Sequence, residues 1–297
     1  MTKLPIAVVL ASALLAGCAG APNSRKPQAA AAPVAAAPAG PAANDNLNAV
    51  VWTQTAVEHD LIYREVFHQA GEKLQLALKD RQWDALPKGE RKGPMKKVKP
   101  AVIVDIDETV LDNSPYQARL IRDGGEYNEA TWAAWCREKA ARPLPGALEF
   151  TKLAAKKGVT VFYLSNRAQD LNDVTLENLR EAGFPLAAGE NVFLGLGTIV
   201  KGCEQVGTEK GCRRQLIGRD HRVLLQLGDQ VGDFVDVLAN TPDGRSAAVA
   251  AYNGWIGERW FVLPNPTYGS WEPALFNNDW SLPAPQRRQA KINALQK

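Results

Sequence analysis

Two aspartates, Asp105 and Asp107, close an apolar run in the segment AVIVDIDETVLDNSPY, Ala101 to Tyr116. Alternation along a strand sends both carboxylates to one side, roughly 7 Å apart. Carboxylates this close repel each other and stay together only if a cation, a shared proton or strong donors intervene. A hard, oxygen-seeking cation such as Mg2+ meets that need. One ionised carboxylate can then attack an electrophile while the other carries a proton. A lone Asp-x-Asp is more often a turn or a solvated loop. This pair follows an apolar strand, and Glu108-Thr109-Val110-Leu111 continues it without a turn residue.

Three further clusters follow predicted strands or lead into the next element. Val159 to Leu164 runs into Ser165-Asn166-Arg167, small donors plus a planar guanidinium, a set that suits a phosphate. Helix capping by Ser165 or Asn166 is the plainer alternative. Lys201 to Arg214 is a basic loop entering a helix and contains Lys210, Arg213 and Arg214. Val223 to Leu227 runs into Gly228-Asp229-Gln230-Val231-Gly232-Asp233-Phe234. Asp229 and Asp233, four apart, share a helical face and would complete a metal site with the first pair.

The elements that must place these clusters alternate strand and helix. Short apolar runs at 101–105, 159–164, 192–194, 223–227 and 261–263 suit the buried strands of a parallel sheet. Helical spacing recurs at 46–83, 128–141, 147–157 and 172–182, with a short helix after Ala284. The fold expected is α/β, a Rossmann-like parallel sheet with flanking helices and a smaller helical cap. Ligands of such sheets bind at the carboxyl ends of the strands. The cap is assigned to about 46–87 and 116–141, the latter lying between the first strand and its crossover. His59 and His68 have no ligand cluster around them and read as packing or surface residues.

The totals agree with an ordinary globular chain: 297 residues, 45% hydrophobic, 23% charged, net charge +3. So small a charge argues against a nucleic-acid polymer as partner. Residues 1–17 carry Lys3, a short apolar run and Leu15-Ala16-Gly17-Cys18. The run is too short to span a bilayer and reads as a signal peptide. Its end resembles the bacterial lipobox, which implies lipidation at Cys18. Residues 18–45 are rich in Ala and Pro and read as a tether. The folded domain is assigned to 46–297. Cys203 and Cys212 lie nine apart; in an exported chain they could form a local disulfide. Zinc is not suggested, since no Cys-x-x-Cys or paired His is present.

Asp-x-Asp, Ser-Asn-Arg, Lys and Gly-Asp-x-x-x-Asp, in this order, resemble the haloacid dehalogenase superfamily of phosphotransferases. Val104-Asp105-Ile106-Asp107-Glu108-Thr109-Val110-Leu111-Asp112-Asn113 with Tyr116, and Gly228-Asp229 with Asp233-Phe234, look like the two signatures of the class C bacterial acid phosphatases. The lipobox and the Pro264–Glu272 stretch agree. Gln230-Val231 and the Gly- and Cys-bearing segment before Lys210 depart from that pattern. The resemblance implies a Mg2+-dependent acid phosphatase or 5′-nucleotidase acting on small phosphomonoesters, with Asp105 as nucleophile and Asp107 as acid/base. Lys210 is the phosphate lysine, preferred over Lys201 because Lys210 and Arg213 fit the Lys-x-x-Arg pattern. It further implies metal ligands at Asp105, the Asp107 carbonyl, Asp229 and Asp233, and substrate contacts at Ser165, Asn166, Arg167 and Tyr268. The location implied is a Gram-negative outer membrane, facing periplasm or surface, with self-association left open. Two alternatives stand beside this reading: phosphotransfer to an alcohol, and a catalytically silent lipoprotein that binds nucleotide, haem or a protein partner.

Overall fold

The computed structural model describes residues 43–296 except Lys96. The segments read as signal peptide and tether, with Cys18, lie outside the described residues except for 43–45.

Apolar runs without polar alternation suit strands covered on both faces. Five of them pair in parallel, in the order β5-β4-β1-β6-β7, as β1 (Lys99–Asp105), β4 (Thr160–Leu164), β5 (Phe193–Leu194), β6 (His221–Gly228) and β7 (Trp260–Val262). Every residue of β6 is buried, as are the last five of β1. The registers align Asp105 with Leu164 and Val104 with Leu227. Three strands therefore stop together, and Asp105, Ser165 and Asp229 emerge side by side.

Helices fill both the crossovers and the flanks: α1 (Leu47–Thr55), α2 (Val57–Lys79), α3 (Ser114–Asp123), α4 (Glu129–Glu138), α5 (Ala147–Lys156), α6 (Asn172–Glu181), α7 (Gly211–Asp220), α8 (Pro242–Ala250) and α9 (Ala284–Asn293). The 46–87 segment divides at Ala56, whose extended backbone separates α1 from α2. α1 packs on α3, whereas α2 packs on α5, β6 and β7. The cap assignment for 46–87 is thus corrected for Val57–Lys79, which belongs to the sheet layer. Tyr63, Phe67, Ala70, Leu74 and Ala77 are its buried stripe, at helical spacing. Burying side chains of this size contributes roughly 1.5–3 kcal/mol for each large one. Asn46 precedes α1 without a side-chain cap bond; its amide instead donates to Gln117 of α3 at 3.2 Å.

The insertion after β1 rises from a short antiparallel ribbon, β2 (Leu111–Asp112) with β3 (Arg142–Pro143). Between them stand α3, ended by Gly124 at φ +64, and α4, capped by Asn128 through Thr131 N. Tyr116, Tyr127 and Trp132 cluster on this cap. Trp135 ties it to the strand end, donating from Nε1 to Asn113 Oδ1 at 2.8 Å. No helix of the described residues is long and apolar enough to cross a membrane.

Candidate active site

Asp105 is the last residue of β1 and is buried. Its Oδ1 accepts from Lys210 Nζ, and Thr109 Oγ1 donates to its Oδ2 at 3.4 Å. Lys210 stands at the N-terminus of α7 and also donates to Asp233 Oδ1 at 2.7 Å and to the Leu164 carbonyl at 3.0 Å. Burial opposes the lysine's charge, but Asp105 and Asp233 outweigh it and hold its pKa above the ordinary value. Lys201 is exposed, and its carbonyl accepts from Arg219. Of the two candidate lysines, only Lys210 reaches the carboxylates.

Gly228 ends β6 and lets the next turn fold back tightly. A Cβ there would lie 2.4 Å from the Asp233 Cβ, so only glycine admits the approach. Instead of one helical face, a single 3-10 turn at Val231–Asp233 carries Asp233. Its Oδ2 accepts from the Gln230 amide at 2.8 Å. Asp229 is held differently: its Oδ2 accepts from Gln230 Nε2 at 2.7 Å and Asn265 Nδ2 at 2.8 Å. Burial, and then the Asp233 carboxylate, push Asp229 up to about 7. Burial also pushes Asp105 well above its ordinary range, against the pull of Lys210, with Asp233 and Asp229 adding to the rise.

Asp105, Asp229 and Asp233 each place a carboxylate oxygen within 4.8 Å of the others. Hard oxygen donors at this spacing suit a divalent cation. The rises at Asp105 and Asp229 fit the same conclusion, because Lys210 alone does not supply enough positive charge to keep both ionised. The Asp107 carboxylate is outside this triad. Arg167 Nη2 donates to its Oδ1 at 2.7 Å, Asn113 Nδ2 to the same atom at 2.9 Å, and Ser165 Oγ to its Oδ2 at 3.2 Å.

Two of the predicted site residues are bonded to Asp107. Ser165 and Arg167, read as phosphate contacts, are both buried and both spend their polar atoms on Asp107. Arg167 also donates to Thr175 Oγ1 at 3.2 Å and lies 5.4 Å from the Trp132 ring centre. The guanidinium thus holds the Asp107 carboxylate by charge-assisted bonds. Asn166 is exposed, and its Oδ1 accepts from Arg213 Nη2 at 2.7 Å. Tyr268 lines the cleft, and its hydroxyl donates to the Glu108 carboxylate. The cleft measures about 1420 Å³, and Asp105, Asp107, Tyr116, Trp132, Lys210, Asp229 and Trp271 also line it.

Sequence reasoning passed over several residues that build this site. Asn113 links the cap tryptophan, Asp107 and Glu108. Glu108 is buried with φ +56, a left-handed backbone that costs a non-glycine residue about 1–2 kcal/mol. Burial and Asp107 raise its carboxyl well above the ordinary range. Arg213 and Arg214 are buried anchors of α7: Arg213 donates to the Ser165 carbonyl at 2.7 Å, and Arg214 pairs with Glu90 and Asp236 at 2.7 Å. Arg213 was signalled through the Lys-x-x-Arg pattern, but Arg214 only through basic charge, which a solvated face also carries. Cys203 and Cys212 are bonded, joining the loop to the first turn of α7.

The sequence matches the family described as HAD superfamily, subfamily IIIB (acid phosphatase), over residues 42–271. Among solved structures, the class C acid phosphatase from Bacillus anthracis is similar at a TM-score of 0.72 and 32% identity, over 85% of this chain and 97% of that one. A second structure of that enzyme, with tungstate bound, gives 0.73 and 32%. Curated relatives include Acid phosphatase 1 of Solanum lycopersicum, 29% identical over 56% of this chain and 57% of that one. Vegetative storage protein 2 of Arabidopsis thaliana is 28% identical over 56% of this chain and 55% of that one. A stem 31 kDa glycoprotein of Glycine max is 28% identical over 56% of this chain, and the alignment spans 58% of its length. The chain thus spans less than two thirds of the length of these curated relatives. With the match covering most of the described fold and both acidic strand ends, the chain belongs to the HAD superfamily, subfamily IIIB, the acid phosphatases.

Proposed function

We propose that this protein is a Mg2+-dependent phosphomonoesterase that works through an aspartyl-phosphate. The observation that carries the reading is the convergence of Asp105, Asp229 and Asp233 with a buried Lys210 at aligned strand ends. Asp105 and Asp229 would hold the cation, with Asp233 beside them. When bound, the cation supplies positive charge against the anionic ester. The tungstate seen in the Bacillus anthracis enzyme supports the reading, because that oxyanion is tetrahedral like phosphate.

A carboxylate oxygen of Asp105 attacks phosphorus as the bond to the leaving oxygen breaks. Asp107 gives that oxygen a proton, then takes one from the water that breaks the Asp105–phosphorus bond and releases phosphate. Arg167, Asn113 and Ser165 hold Asp107 in place for both transfers. Lys210 orients Asp105 and favours its charged form against burial, and the exposed Asn166 offers its Nδ2 to a phosphate oxygen. With Tyr116, Tyr127, Trp132 and Tyr268 along it, the cleft has room for an ester with a flat ring, such as a nucleoside 5′-monophosphate. Water reaches the same cleft, so hydrolysis is preferred over transfer to an alcohol. Anchoring through a lipid on Cys18, in an outer membrane, is the accompanying proposal; it rests on the lipobox, and the mass of the mature N-terminal peptide tests it.

Two curated relatives are named vegetative storage proteins, which keeps a binding role without turnover in view. One experiment separates the readings: hydrolysis of a chromogenic phosphate ester with Mg2+, by wild type and by Asp105→Asn. The phosphatase reading expects turnover in the wild type and a loss of at least about 10³-fold in the variant. An inert wild type, or a fully active Asp105→Asn, overturns it.

A further inference from the structure

The catalytic steps leave the Glu108 side chain without a task, yet it is one of the most constrained residues in the molecule. It follows Asp107, is 4% exposed and sits at φ +56, a conformation that favours glycine. Two contacts tie it to the loop that follows β7. Its Oε2 accepts from the Tyr268 hydroxyl. Its backbone carbonyl accepts from the Tyr63 hydroxyl at 2.6 Å, and that hydroxyl also lies 3.2 Å from the Pro264 carbonyl. On the other side, Glu108 Oε1 accepts from the Asn113 amide at 2.7 Å. The residue therefore fastens the loop of the acid/base to the loop of Tyr268.

We propose that Glu108 is a specificity-determining positioning residue: by holding the Tyr268 hydroxyl, it fixes the Tyr268 ring as a wall for the leaving group of the ester. The inference rests on the phosphatase reading. A ring held by its hydroxyl is already ordered when the ester arrives, so binding loses less side-chain freedom. An ester with a flat ring gains from such a wall; a small aliphatic ester does not reach it. The strained backbone at Glu108 is the means by which its carboxylate turns toward Tyr268 while Asp107 faces Arg167.

The test compares kcat/KM for AMP with kcat/KM for glycerol 2-phosphate. Tyr268→Phe keeps the ring and removes the hydroxyl; Glu108→Gln replaces one acceptor oxygen with a donor. The expected result is a fall of about tenfold in the AMP-to-glycerol-phosphate ratio for Tyr268→Phe, carried by KM for AMP. In a Glu108→Gln background, Tyr268→Phe should then have no further effect on that ratio. A ratio unchanged by Tyr268→Phe, or the full penalty persisting in the Glu108→Gln background, overturns the proposal. A purely structural role would lower both substrates together and leave the ratio intact. If Glu108→Gln does not fold, the ratio for Tyr268→Phe decides alone. If the wild type turns over neither ester, the phosphatase reading has failed. Calorimetric binding of AMP to wild type, Tyr268→Phe and Glu108→Gln then reads the clamp without turnover: tenfold weaker binding in both variants supports it, and equal binding overturns it.

Discussion

The two acidic strand ends meet at one point but are stabilised in different ways. At the end of β1, each aspartate is paired with a cation: Lys210 for Asp105 and Arg167 for Asp107. At the end of β6, Asp233 shares Lys210, and Asp229 has only the amides of Gln230 and Asn265. The consequence is visible in Asp229, which burial and Asp233 push up to about 7. One end is therefore neutralised largely from within the chain, while on the proposed reading the other takes a charge from outside. Removing a partner should act through geometry at β1 and through charge at β6. The loss of Asp105 itself, predicted above, is the largest effect, because it removes the proposed nucleophile.

Chelation comes next. Activity should disappear with EDTA and return with Mg2+, and Asp229→Asn should raise the Mg2+ concentration for half-activity by about 10–100-fold. The metal-free protein gives a sharper check. Asp229 titrates higher folded than unfolded, so the folded state binds more protons between the two values. Stability of the metal-free wild type should therefore fall as pH rises from about 4 to about 7, by on the order of 4 kcal/mol if Asp229 acts alone. Asp229→Asn should make that loss shallower, the remainder coming from Asp105 and Glu108, whose carboxyls are raised as well, and thermal unfolding in EDTA across this pH range would show it. A variant with the same pH slope as wild type would show that Asp229 is satisfied without a cation, and the contrast between the two ends would vanish.

The β1 end is tested through Asn113, which donates to Asp107 and accepts from Trp135 of the cap. Asn113→Ala should lower kcat about tenfold while leaving the Mg2+ requirement near that of wild type. A changed metal requirement with unchanged kcat would mean that the two ends are not separable in this way.

Much of this arrangement was readable before any coordinates. Short apolar runs marked β1, β4 and β6, and strand-end placement predicted that Asp105, Ser165 and Asp229 converge, because parallel strands aligned in register must end together. What could not be read was direction. Nothing in Ser165-Asn166-Arg167 says that two of the three turn inward to Asp107, since a guanidinium suits a carboxylate as well as a phosphate. Nor does an α2 helix announce whether it covers the sheet or the cleft. Its stripe at Tyr63, Phe67 and Leu74 is apolar in either case. Glu108 was missed because a left-handed non-glycine residue leaves no pattern in composition or periodicity.

Lys210 is, among the described residues, the one side-chain cation bonded to carboxylates of both strand ends, so losing whatever holds it should disturb both at once, though weakly. It stands two residues before Cys212, which is bonded to Cys203 in the loop between β5 and α7. That bond closes a short loop, and such closures contribute on the order of 2–3 kcal/mol in the chain-entropy account. The arginines are a second hold, since Arg213 and Arg214 are buried and bonded to the Ser165 and Asp233 carbonyls. With two supports, losing one should cost stability more than catalysis. Cys203→Ser with Cys212→Ser should lower Tm by several degrees and change kcat and the Mg2+ requirement together by no more than about threefold. Scanning calorimetry with a Mg2+ titration would measure both. A loss of activity as deep as that of Asp105→Asn, in a variant still folded, would mean that the disulfide rather than the arginines sets the lysine, and that the two acidic ends are joined through the loop.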